Sequence, residues 1–402
     1  MENLFKTSRR LVSAIDTSIH RYLYRIVNWD DRLIMIKGAR GVGKTTMLLQ
    51  RIKETFGTSR KALYASCDNL WFADNKIIDL ATYHYEHGGT HLFLDEIHLY
   101  DGNWQRELKN IYDSLPGYHV AFTGSSIILL DAGLADLSRR CLPYRLYGLS
   151  FREYLRFEGI ADFPALTLDD VFSNSHSSEL DIIEDMPPDI KILAAFADYR
   201  KRGYYPFYRS GSNGDYYGRI ERLIDVSMTR DIPAVEKVEY ETLYKLKKLL
   251  YVMSREVPFT LNVQSLSQKI QVSRSTIVKM FDLLDKGAIL RCINSGWKSP
   301  KSVAKPDKIL FDNTDIMAAI TDSTDIGTVR ETFVASMAAP LYRINEPSVG
   351  DLLIEEKYLL EIGGKSKTFR QIADLPDGYV VADEEESGFG NRIPMWLLGF
   401  LY

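Results

Sequence analysis

Short apolar runs alternate with longer amphipathic stretches through the first part of the chain. Leu33-Ile34-Met35-Ile36, Ala62-Leu63-Tyr64-Ala65, Leu92-Phe93-Leu94 and His119-Val120-Ala121-Phe122 are each long enough for one buried strand. A further extended stretch, Tyr144-Arg145-Leu146-Tyr147, follows. Between them, Thr46–Ile52 and Trp104–Leu115 carry an apolar face at helical spacing. Strands alternating with helices predict an α/β fold whose five-stranded, mostly parallel sheet is covered on both faces.

The pattern changes after residue 155. Ala161–Ile190 holds Asp162, Asp169, Asp170, Glu179, Asp181, Glu184, Asp185 and Asp189 with no Lys or Arg, and reads as an acidic, partly loop-like crossing or else simply as a solvated face. It leads into a small helical lid, Ile190 to about Glu236, broken at Tyr204-Tyr205-Pro206-Phe207, a segment that would pack near the site at the sheet. Gln264–Ile270, a turn at Gln271-Val272, Ser273 as N-cap and Arg274–Lys286 with Ile277, Phe281 and Leu284 on one face read as helix–turn–helix. Ala288–Ile293 would add the first strand of a wing, giving a winged helix. A helix from Arg330 and paired strands at Gly350–Ile354 and Tyr358–Ile362 predict a last α/β domain. The expected domains are 1–155, 156–236, 237–300 and 301–402.

Composition narrows the class without deciding it. With 402 residues, 45% hydrophobic and 26% charged, the chain is of ordinary globular type, and its formal charge of -4 averages regions of opposite sign. Glu241–Lys308 is the basic region, with 13 Lys and Arg against 5 acids. Cys67, Cys141 and Cys292 are isolated, which suits a reducing cytoplasm, the expected location. No apolar run has the length of a signal peptide or a membrane span, so no membrane partner is expected. His84, His87, His91 and His98 need not converge and no cysteine joins them at zinc spacing, so no zinc site is expected.

The chemistry is concentrated at two strand ends. Gly38-Ala39-Arg40-Gly41-Val42-Gly43-Lys44-Thr45, followed by Thr46, stands between the first strand and a helix, the setting of a phosphate-gripping loop. Its glycines let backbone N–H groups turn onto phosphate oxygens, Lys44 would reach the β- and γ-phosphates of ATP, and the Thr45 hydroxyl would ligate Mg²⁺. The third run ends in Asp95-Glu96: Asp95 would hold the metal through its water shell, and Glu96 would polarise the attacking water. After the fourth run, Thr123, Ser125 or Ser126 would sense the γ-phosphate, Ser125 being the catalytic candidate; otherwise Gly-Ser-Ser is a turn. Arg139 and Arg140 would act as arginine fingers, in cis or through self-association, or else form a solvated basic helix end.

An additional strand between the motif strands and a glutamate beside the aspartate match the additional-strand, catalytic-glutamate branch of P-loop ATPases. The chain resembles bacterial and archaeal AAA+-type ATPases that pair an N-terminal P-loop domain with a C-terminal, nuclease-related domain of unknown function. The resemblance rests on Arg32-Leu33 leading into Gly38–Thr46, Leu92–Glu96, Phe122–Ser126, Asp136–Arg140, Gly148–Tyr154 and Gly203–Phe207. It implies binding and hydrolysis of ATP with Mg²⁺, and places Arg139 or Arg140 near the finger position. The last domain resembles a restriction-endonuclease-like core with Asp351 and Glu361 at the acid positions and Glu331 as a helical acid. It departs from that pattern at Gly363, where a lysine is expected; Lys365 stands further on, so a degenerate, inactive site is expected. In the winged helix, Arg274, Ser275, Thr276 and Lys279 would face double-stranded DNA, or else the module is a joint between domains. A protein client is the remaining partner class.

Overall fold

In the computed structural model, which describes residues 1–124, 137, 139–209, 215–235, 240–255, 262–296, 305–321, 325–370, 372, 375 and 377–402, the apolar runs become strands. β1 (Leu33–Lys37), β2 (Ala62–Ser66), β3 (His91–Asp95), β4 (His119–Gly124) and β5 (Leu142–Arg145) form one sheet in the order β2-β3-β4-β1-β5. Every adjacent pair is parallel. Consecutive residues of β1 and β3 are buried, as a sheet covered on both faces requires. β5 begins and ends ahead of the expected Tyr144–Tyr147. The strand lying between the motif strands β1 and β3 is β4; β2, which intervenes in sequence, is at the sheet edge.

The chain divides into two compact units. The first comprises Met1–Tyr147 and Thr229–Lys237, the second Gly148–Met228 and Val238–Tyr402. In the first unit, α1 (Glu2–Ala14) buries Leu4, Phe5 and Val12, and its Ser8 hydroxyl accepts from the Tyr64 amide of β2 at 3.1 Å. α2 (Lys44–Phe56) follows the phosphate loop and is strapped to the segment after α1: Gln50 Nε2 donates to the Asp16 and Ile19 carbonyls, both at 2.9 Å, and Lys53 Nζ to that of Ile15 at 2.7 Å. α3 (Ile77–Glu86) and α4 (Trp104–Ser114) pack against each other with Leu80, Ala81, Leu108 and Ile111 in the core. Thr229–Lys237 belongs to this unit, so the end of the expected lid is separated from the rest of it.

The second unit contains α5 (Phe151–Phe157), α6 (Ile192–Arg202) and α7 (Tyr216–Val226). Tyr204 and Tyr205 belong to the second unit. They are buried beside the acids Asp312 and Asp315: the Tyr204 amide donates to Asp315 Oδ2 at 3.0 Å, and the Tyr216 hydroxyl donates to the same oxygen. Burial pushes the Asp315 carboxyl up to about 7, with the hydrogen bonds from Tyr216 and the Tyr204 amide opposing. A carboxyl raised on folding stabilises fully below its unfolded value and loses that contribution as pH rises through its folded value. The thermal midpoint should therefore fall between pH 4 and pH 8, by up to a few kcal/mol in stability at ~1.4 kcal/mol per pH unit. Asp315→Asn should flatten that slope in a series of melting curves.

α8 (Val263–Ile270) and α9 (Arg274–Lys286) form the two-helix pair, with Asn262 capping one and Ser273 the other. Gln271 takes φ of 62° at the turn between them. Val263, Leu266, Ile270, Ile277, Met280, Phe281 and Leu284 are buried. β6 (Leu290–Ile293) pairs antiparallel with β7 (Lys308–Phe311), so the expected boundary at 300 falls within a strand pair. α10 (Thr314–Ile320) and α11 (Ile326–Ala338) precede a second sheet. Its strands β8 (Ile344–Asn345), β9 (Leu352–Ile354), β10 (Tyr358–Gly363), β11 (Gly378–Ala382) and β12 (Arg392–Pro394) lie in sequence order. β8, β9 and β10 pair antiparallel; β10, β11 and β12 pair parallel. Among the described residues, no helix is long and apolar enough to cross a membrane.

Candidate functional site

The glycine loop connects the end of β1 to α2, and the N-cap of α2 is Gly43 at φ of 102°, a left-handed conformation that side-chain-bearing residues rarely adopt. The loop amides and the helix N-terminus thus converge where an anion is favoured. Lys44, only 4% exposed, donates through Nζ to the Gly38 and Ala39 carbonyls, both at 2.9 Å. Burial lowers its pKa, and Glu96 and Asp95 pull it back toward the charged form. The buried Arg21 braces the loop from outside the motif: it donates to the Val42 carbonyl and, at 2.8 Å, to that of Tyr147.

Asp95 is the centre of the polar network. The Thr45 hydroxyl donates to its Oδ2 at 2.6 Å, the Tyr64 hydroxyl to the same oxygen at 2.8 Å, and Thr123 Oγ1 to Oδ1. Burial, reinforced by the Asp95 charge, pushes the Tyr64 hydroxyl far above its ordinary pKa, so it stays a donor. Thr123 also accepts from the Glu96 amide at 3.2 Å. β4 carries Thr123 into this network because it is the strand inserted beside β3. Of the three sensing candidates, Thr123 is thus in contact with Asp95 and Glu96; Ser125 and Ser126 lie outside the described residues. Neither Tyr64 nor Arg21 carries a motif signal, although the apolar run around Tyr64 locates its strand.

Glu96 stands just past β3 at φ of 52°, a strained position for a glutamate of the kind that clusters at working sites. Its Oε2 lies 3.3 Å from His98 Nε2 and 3.7 Å from Arg40. Arg40 does more than contribute backbone to the loop. Its guanidinium grips Asp231 with both arms, at 2.9 and 2.8 Å, and this pairing raises its pKa against the opposing effect of burial. Burial pushes the Asp231 carboxyl up, but hydrogen bonds from His98 and Arg40 outweigh it and leave the group below the usual carboxylate range.

The magnesium expectation meets a suitable donor set. The Thr45 hydroxyl and Asp95 carboxylate converge within hydrogen-bond distance beside Lys44, and Mg²⁺ is commonly held by one or two protein oxygens with water and phosphate completing its shell. Among the described residues, no group of three or more His, Cys, Asp or Glu side chains is arranged to hold a metal by itself. The histidines of the first unit scatter: His84 bonds Tyr118 and the Arg60 carbonyl, His87 the Tyr83 carbonyl, and His91 stacks on His119 at 4.5 Å.

The two arginines after β4 separate. Arg140 is held by Asp113 of α4 at 2.9 and 3.1 Å, whereas Arg139 is exposed. On α9, Arg274, Ser275 and Lys279 are exposed and Thr276 is half-buried at its N-terminal end.

In the second unit, Lys365 is exposed and does not meet the acids. Lys367 takes that place: its Nζ lies 2.7 Å from Glu361 and 3.6 Å from Asp351. The chain turns back after β10, with the Lys367 amide donating to the Gly364 carbonyl at 2.9 Å. The Lys367 stem packs on Gly363, where a Cβ would come within 2.7 Å of it. Glu331 is engaged by Lys308 at 2.7 Å, and Lys308 also lies 3.5 Å from Glu346 and donates to the Asp351 carbonyl at 2.8 Å. Burial raises the Glu331 carboxyl, with Lys308 opposing. Lys308 and Glu346 join this group without any signal in local spacing, because they come from β7 and the segment after β8.

Residues 30–155 match the AAA domain family. Over 396 residues the chain is 28% identical to an uncharacterized protein of Methanocaldococcus jannaschii, an alignment covering 89% of this chain and 82% of that one. Among solved structures, the Walker-type ATPase of Pyrococcus abyssi is similar at 12% identity and a TM-score of 0.39, over 80% of this chain and 97% of that one. AMPPCP-bound DnaA from Aquifex aeolicus is similar at 10% identity and a TM-score of 0.29, over 70% and 86%.

Proposed function

We propose that this chain is an AAA+-type ATPase whose nucleotide state switches its C-terminal unit. The observation that carries the reading is the convergence of Thr45, Tyr64 and Thr123 on Asp95, beside the buried Lys44 and next to Glu96. The loop amides and Lys44 bind the β- and γ-phosphates of ATP. Magnesium, held by Thr45 and through Asp95, supplies charge neutralisation at the phosphate oxygens when bound. Glu96 orients the attacking water and takes up its proton. Thr123 fixes Asp95 and the Glu96 backbone relative to each other, which suits the sensing role. Arg139, being exposed, is the better candidate for a finger reaching a neighbouring copy's phosphate; Arg140 is committed to Asp113.

The segment from α8 to β7 is assigned to a winged helix, and the exposed end of α9 favours a second reading, an effector that binds double-stranded DNA. Arg274 also lines a groove of about 520 Å³ together with Asn262, Gln264, Ser275 and Lys305, which suits a phosphate backbone. The last sheet is assigned to a nuclease-like body; its expected inactivity rested on the missing lysine at Gly363, and Lys367 beside Glu361 and Asp351 fills that place. ATP turnover with and without double-stranded DNA, run at several protein concentrations, tests the scheme. Turnover that rises with protein concentration supports assembly through Arg139, and DNA stimulation supports the effector reading. Arg274→Glu with Lys279→Glu should then weaken DNA binding by about tenfold or more and flatten its salt dependence. No binding at low salt rejects the DNA reading, and no turnover under any condition rejects the ATPase.

A further inference from the structure

The chain leaves the first unit after Tyr147 and returns to it for the short segment Thr229–Lys237, which brings Asp231 to the phosphate loop. Asp231 is 5% exposed, and its carboxylate receives the Arg40 guanidinium in a two-armed grip at 2.8 and 2.9 Å. The same Arg40 nitrogen stands 3.7 Å from Glu96 and 3.5 Å from His98 Nε2. His98 Nε2 in turn lies 3.3 Å from Glu96 and 3.4 Å from Asp231. One loop cation and one imidazole are therefore shared between two carboxylates, and the distances show which holds the cation. Arg40 is committed to Asp231, and Glu96 is its next neighbour.

The order matters for the chemistry. A guanidinium seated on Glu96 occupies the carboxylate oxygens to which the attacking water must hydrogen-bond. A two-armed carboxylate partner is the strongest competitor for a guanidinium. Resting on the ATPase reading above, we propose that Asp231 is a positioning residue for hydrolysis: it takes the two-armed grip of Arg40 at 2.8 and 2.9 Å, so that the guanidinium does not close in the same way on the Glu96 oxygens that receive the attacking water.

The test uses the full chain and initial rates across a range of Mg-ATP concentrations. Asp231→Asn lowers kcat by about tenfold or more and changes KM by less than about threefold, as loss of a transition-state interaction does. In an Arg40→Gln background the same change has little effect, because the cation that would fall on Glu96 is gone; the double variant lies within about threefold of Arg40→Gln alone. A kcat for Asp231→Asn within threefold of wild type overturns the proposal, as does a change confined to KM. An equal tenfold loss in the Arg40→Gln background also overturns it, since a merely structural role would persist there. Wild-type turnover that Lys44→Ala does not remove sinks the ATPase reading itself, a result distinct from the other outcomes.

Discussion

Glu96→Gln is expected to lower ATP turnover by about 10²–10³-fold while Mg-ATP stays bound, the size of effect that general-base removal produces. The glutamate is placed by backbone, since its amide donates to Thr123 Oγ1 at 3.2 Å and its φ of 52° is fixed by the turn after β3. Glutamine keeps nearly the same volume, so the loop, Lys44 and Asp95 remain in position. What it loses is the negative charge that takes up a proton, together with the attraction to His98 and Arg40 at 3.3 and 3.7 Å. Single-turnover rates and binding of a fluorescent ATP analogue separate the two effects. Equal turnover by wild type and Glu96→Gln would remove Glu96 from the chemistry.

Lys44→Ala is expected to weaken nucleotide binding by about 100-fold or more, because charge-assisted hydrogen bonds to phosphate contribute on the order of 1.5–3 kcal/mol each. Lys44 is buried, and its ammonium donates to two loop carbonyls, Gly38 and Ala39. Removing it takes away the cation that meets the phosphates and leaves those carbonyls without their donor. Titration with the fluorescent analogue measures the loss, and an unchanged circular-dichroism spectrum shows that the fold survives it.

The phosphate loop and Asp95-Glu96 were legible because each is written in contiguous residues at the end of a buried run. Local spacing carries a strand, a turn and a helix start, and those suffice to place Lys44, Thr45 and Asp95. The order of strands is not local. That β4 rather than β2 lies between β1 and β3 depends on crossovers, and only the folded sheet shows it. Asp231 was invisible for the same reason: it meets Arg40 across 191 positions of chain, from a segment whose composition signals only a helix. His98, set aside as a metal ligand, instead links Glu96 to Asp231.

The C-terminal acids show a different limit. Asp351 and Glu361 were placed by the resemblance to a nuclease-like core, and the lysine, missing at Gly363, was sought at Lys365 beyond the glycine pair. Instead the turn at Gly363-Gly364 folds the chain back and delivers Lys367 to Glu361. A glycine pair allows that reversal without specifying its path, so spacing alone could not choose between the two lysines. The pattern on α8 and α9 was read correctly down to the Ser273 cap, yet the strand that partners β6 lies beyond the expected boundary. Sequence periodicity places elements better than it places their partners.

Equilibrium binding of Mg-ATP to the purified chain, measured calorimetrically for wild type and Lys44→Ala, shows whether the glycine loop and its lysine hold a nucleotide. The wild type should show saturable one-site binding that requires magnesium, and the variant should bind about 100-fold or more weakly. Binding of equal strength in both proteins, or none in either, would contradict this reading.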